Sequence, residues 1–68
     1  MPRLLGSAQI VSILITNGFV FVSQRGSHLK YRDPSGRVVI VPGGRREIPR
    51  GTLASIIRQS GLAKILFD

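Results

Sequence analysis

The order of apolar and polar positions along the chain predicts a helix, three strands and a second helix. From Ser7 to Asn17 apolar residues return at helical spacing. Ile10, Val11 and Leu14 make an inward stripe, which Ile13 and Ile15 widen to roughly half the circumference at about 100° per residue. Ser7 stands where an N-cap is wanted, and Gly18 where a left-handed residue ends a helix. Three runs rich in β-branched and aromatic residues follow: Phe19–Gln24, His28–Asp33 and Arg37–Pro42. Arg25-Gly26-Ser27 and Pro34-Ser35-Gly36 join them with hairpin composition, a glycine being available where φ must be positive. Three-residue loops at both joints set Asp33 opposite Arg37, Tyr31 opposite Val39, Leu29 opposite Val41, Phe21 opposite Tyr31 and Phe19 opposite Asp33. One sheet face then carries Phe19, Phe21, Leu29, Tyr31, Val39 and Val41 as core. The other carries His28, Lys30 and Arg32 with Val20, Val22, Val38 and Ile40. A one-residue slip in either hairpin would reverse its faces.

Gly43 to Arg50 reads as a loop, and Thr52 as the N-cap of a helix through Ser60, with Leu53, Ile56 and Ile57 inward and Gly61 closing it. Leu62 to Phe67 is a short apolar tail, expected to add one helical turn or to fold back over part of the second sheet face. The sum is a single α+β domain over residues 1–68, a three-stranded antiparallel sheet with two helices on one face.

Charge changes this picture more than composition does. Ten Lys/Arg stand against three Asp/Glu, a net charge of +7, and the pI is about 11.8. The cations run from Arg3 to Lys64 between apolar positions, so they belong to the folded surface and fit a polyanion, nucleic acid before membrane. Neither helix is rich in Arg or Lys, as a helix that reads DNA or sits on a ribosome would be. No apolar run approaches the roughly 18 residues of a membrane span and no signal-peptide layout opens the chain, so a cytoplasmic protein is expected. With no cysteine there is no disulfide, thiolate metal site or Cys nucleophile. Three carboxylates (Asp33, Glu47, Asp68) and one imidazole (His28) are too few for paired metal ions, so no metal or other cofactor is expected.

Gly18-Phe19, Gln24-Arg25-Gly26-Ser27-His28, Tyr31, Gly36, Val41-Pro42, Gly51-Thr52-Leu53 and Ile56-Ile57-Arg58-Gln59-Ser60-Gly61-Leu62 resemble the HicA toxin family in kind and order, and Pro2-Arg3-Leu4 is similar to its usual start. The resemblance covers nearly the whole chain. It implies a double-stranded-RNA-binding-domain-like fold turned to RNA cleavage as an mRNA interferase, a HicB-type antitoxin as partner, and His28 as the catalytic histidine of the Gly-Ser-His motif. The chain departs from that pattern at Leu29, where many relatives carry a second histidine. It departs again at Pro42-Gly43-Gly44, where many read Pro-x-His. The enzyme implied is therefore one weakened by the loss of auxiliary histidines. The alternative is a non-catalytic RNA-binding module of the same fold.

The chemistry of the residues agrees. RNA brings its own nucleophile, the 2′-hydroxyl, and an imidazole with an ordinary pKa near 6.5 suits proton transfer at neutral pH. Arg25, Ser27 and Lys30 flank His28 as candidate RNA contacts, while Gly26 is a structural turn residue. Arg45, Arg46, Arg50 and Thr52 gather before the second helix, whose N-terminal N–H groups favour an anion. Surplus aliphatics on the second sheet face predict association, with a second copy or with the antitoxin.

Overall fold

In a computed structural model the described residues are 4–68, so the Pro2-Arg3 part of the N-terminal motif lies outside them. Their order is α1 (Ser7–Thr16), β1 (Val20–Arg25), β2 (His28–Arg32), β3 (Val38–Pro42), α2 (Arg50–Ser60) and a 3-10 turn over Lys64–Phe67. The antiparallel sheet has the order β1-β2-β3. This is the expected helix–sheet–helix domain.

Periodicity located the core well. Ile10 and Leu14 of α1, Tyr31, Val39 and Val41 of the sheet, and Ile56 of α2 are buried together with Phe19. Val11, Ile13, Leu29, Leu53 and Ile57 pack around them half-buried. Three further core residues come from segments with no readable period: Leu5 before α1, Ile48 in the loop before α2, and Phe67 in the tail. Burying Phe67 contributes up to about 3 kcal/mol of transfer free energy. The tail thereby anchors on the helix side and leaves the second sheet face open.

The caps differ from expectation. Gly6, not Ser7, is the N-cap of α1, and its N–H donates to Gln9 Oε1 at 2.6 Å. Ser7 is instead buried as a brace. Its Oγ donates to the Pro42 carbonyl and accepts the Arg45 N–H at 2.9 Å, while its own N–H donates to the Arg45 carbonyl. Thr52 is not an N-cap either: α2 starts two residues earlier, Pro49 takes the cap position, and the Pro49 carbonyl accepts the Leu53 N–H at 2.9 Å. Proline with its preset φ starts a helix without a side-chain acceptor. The two helix ends fall as expected, with Gly18 and Gly61 both at positive φ.

The second hairpin has the expected register, with Tyr31 opposite Val39, Leu29 opposite Val41, and the Asp33 N–H donating to the Arg37 carbonyl. The first does not. Its turn is the two residues Gly26-Ser27, and Arg25 pairs with His28, Gln24 with Leu29 and Ser23 with Lys30. A β-bulge at Val22 then restores the expected pairing of Phe21 with Tyr31. Phe21 lies on the core face, edge-on to the Tyr31 ring at 5.7 Å, yet is half exposed because the helices pack over β3 and leave the β1 edge uncovered.

Candidate functional site

His28 opens β2 immediately after the turn. Gly26 supplies φ +59 at the first central position, as a type II′ turn requires, and its carbonyl accepts from Gln24 Nε2 at 2.9 Å. The Ser27 carbonyl accepts the N–H of Gly43, just past β3. That approach is close: a Cβ on Gly43 would lie 2.8 Å from the Ser27 oxygen. The turn presenting His28 is therefore tied to the strand next to it by a contact that needs a glycine.

The bulge decides what surrounds the imidazole. Below Val22 the register moves by one residue, which turns Ser23 and Arg25 onto the open face beside Lys30 and His28. A shallow hollow results, lined by Ser23, Arg25, His28, Lys30 and Ile40. Arg25 and His28 are direct cross-strand partners, a pairing that sets Cβ atoms about 5 Å apart. His28 is exposed and no lining residue is acidic, so an anion entering the hollow meets a guanidinium, an ammonium and an imidazole. The arrangement can bind a phosphodiester and move a proton at it.

Of the residues singled out in the sequence, Arg25, Lys30 and His28 come together here, with Ser27 and Gly26 forming the turn. Arg45 and Arg46 are exposed on the loop that closes over the start of α1 through Ser7 and through the Ile48 N–H to the Leu5 carbonyl, 2.7 Å. Arg50 lines a different, largely apolar hollow on the helix side with Leu4, Ile48, Leu53 and Phe67. Thr52 is half-buried in the first turn of α2. These four do not line the His28 hollow. Ser23 and Ile40 do, and were missed; the two-residue Gly26-Ser27 spacing is the signal that could have placed Ser23, since it forces Arg25 opposite His28.

Among the described residues no three His, Cys, Asp or Glu side chains gather as a metal site would require, and no helix is long and apolar enough to cross a membrane. No curated protein sequence matches the chain. The family model described as the HicA toxin of bacterial toxin–antitoxin systems matches residues 7–62, all but the ends of the 68-residue chain. With 56 of its 68 residues matched and a helix–sheet–helix fold that carries Gly26-Ser27-His28 on an exposed turn, this chain belongs to the HicA toxin family, as the toxin component that pairs with an antitoxin.

Proposed function

We propose that the protein is a metal-independent endoribonuclease that cuts mRNA with His28 as its proton-transferring group. The observation that carries the reading is the hollow itself, one imidazole set beside Arg25 and Lys30 with no carboxylate on its walls. In the reaction the 2′-hydroxyl loses its proton and its oxygen attacks the adjacent phosphorus. The bond to the 5′-oxygen breaks, leaving a 2′,3′-cyclic phosphate and a protonated 5′-hydroxyl. His28 carries one of the two proton transfers, an effect of about 10²–10⁴-fold, and water carries the other. Arg25 and Lys30 hold the phosphoryl oxygens as charge builds on them. Arg45, Arg46 and Arg50, with the α2 N-terminus and Thr52, offer further phosphate contacts away from the cleaved bond.

The test is incubation of the purified protein with mRNA in EDTA. Wild type is expected to cut, and folded His28→Ala to lose at least about 100-fold. Equal cutting by the two proteins overturns the assignment. The second reading, an RNA-binding module without catalysis, is favoured by one observation: the hollow holds a single imidazole, with no second imidazole or carboxylate beside it. It predicts salt-sensitive binding and no product.

A further inference from the structure

The open sheet face continues beyond the His28 hollow. His28, Lys30 and Arg32 occupy alternate positions of β2 and so point to the same side, about 7 Å apart. That spacing is close to the distance between successive phosphates of an extended single strand. At the far end of the row lies a second hollow, lined by Gly18, Val20, Val22, Arg32, Asp33 and Pro34. Val20 and Val22 are 63% and 46% exposed there, a large apolar surface for a position beside two charges.

We propose that this hollow is a nucleotide subsite for a base that carries an exocyclic amino group, two phosphates along the RNA from the bond cut at His28. Arg32 takes the phosphate, Val20 and Val22 take the face of the base, and the Asp33 carboxylate accepts from its amino group. The proposal rests on the RNA-cleaving reading above and gives it a base preference.

The Asp33 carboxylate is built into the β2–β3 turn. Ser35 Oγ donates to Oδ1 at 2.9 Å and Oδ2 at 3.0 Å, and the Arg37 N–H donates to Oδ1 at 2.7 Å. Desolvation pushes this carboxyl up, but the hydrogen bonds from Ser35 and Arg37 and the Arg37 charge outweigh it and hold it below its ordinary value near 3.8. An ionised carboxylate only accepts, and two donors on Oδ1 leave Oδ2 the less occupied oxygen. Cytosine, adenine and guanine offer it an amino group. Uracil presents two carbonyls around one N–H, and a carbonyl against Oδ2 is repulsive. Carboxylate-to-amino hydrogen bonding of this kind reads a base by its edge, and one such bond discriminates by about tenfold.

The experiment measures binding of labelled 2′-O-methyl octamers of C, A and U, which lack the nucleophile for cleavage, by fluorescence anisotropy. Wild type is expected to hold the C and A octamers about tenfold more tightly than U. Asp33→Asn brings all three within about twofold, whereas Arg32→Gln weakens all three alike and lowers the salt slope by about 0.7. Equal affinities in wild type, or an unchanged ratio in folded Asp33→Asn, overturn the subsite. Should Asp33→Asn not fold, wild type is titrated with cytidine and uridine monophosphates by NMR. The Asp33, Ser35 and Gly36 amides should shift at lower cytidine than uridine concentration, and no such difference overturns the proposal. No octamer binding at low salt also overturns it and leaves the face to a protein partner. Cutting in EDTA without a base ratio sinks the subsite alone, and a base ratio without cutting sinks the nuclease reading alone.

Discussion

Gly43 shows how narrowly the site is supported. It stands beyond β3, yet its N–H holds the Ser27 carbonyl and its missing side chain makes room for that oxygen. In Gly43→Ala a methyl carbon would meet the oxygen at 2.8 Å, so the turn or the loop must move. Overpacking of this size costs about 1–3 kcal/mol. In a domain this small each kcal/mol lowers Tm by roughly 4–8 °C. Gly43→Ala should therefore melt lower and still fold at 25 °C, but cut RNA at least tenfold more slowly, because the shifted turn carries His28 away from Arg25. Melting curves and cleavage rates on one preparation check this, and wild-type cutting by the folded variant would refute it. Nothing local in the sequence announced the contact. It joins residues sixteen positions apart, and a glycine in a Gly-rich loop reads first as a turn.

Among the elements, β1 is where the reading of the chain and the structure part, and the reason is a conflict of parities. Phe19 is buried at 2% exposure and Phe21 meets the Tyr31 ring edge-on, which requires one register. The two-residue turn sets Arg25 opposite His28, which requires the register one residue along. Val22 absorbs the difference. Both halves were legible separately: β-branched patterning gave the core pairing, and Gly26-Ser27 is a hairpin signal in its own right. A three-residue loop satisfied the core alone and so left Arg25 off the sheet. Similarly, helix periodicity gave α1 and α2 with their inward stripes, while Leu5, Ile48 and Phe67 could not be read because single apolar residues in irregular segments have no period. The bulge account makes a sharp prediction. Deleting Val22 gives a regular ladder in which Phe21 still meets Tyr31 and Arg25 still meets His28. The variant should fold with melting temperature within a few degrees of wild type and with β2 and β3 amide shifts little changed. Deleting Gln24 also removes the extra residue, setting Val22 opposite Lys30 with Phe21 still opposite Tyr31, so it should fold as well, but it takes Ser23 out of the His28 hollow and loses the Gln24 bond to the Gly26 carbonyl. Loss of the fold in both deletions would contradict the parity argument.

For the whole molecule, the unequal faces of the sheet determine what the protein can associate with. Both helices and the 3-10 turn lie on one side, and the other presents Val20, Val22, Val38 and Ile40 at 37–63% exposure around His28, Lys30 and Arg32. Apolar surface of that extent usually belongs to an interface. Pairing two copies through it would bring the cations of two +7 chains together, whereas an acidic partner would neutralise them as its apolar side chains covered the valines. An antitoxin docked there would bury His28 and bar RNA from the face, so inhibition would follow from occupancy with no change of shape. The expected results are a monomer in light scattering at high concentration and a tight complex with the antitoxin. Val22→Lys and Ile40→Lys together should weaken that complex at least a hundredfold, since two ammonium groups would be buried against the partner's apolar side chains, while leaving the isolated toxin folded. A stable homodimer would reassign the face to self-pairing, and undiminished capture by the double variant would place the antitoxin elsewhere. If the double variant unfolds, the face is core and the register is wrong. Circular dichroism on the same samples separates that outcome from the other two.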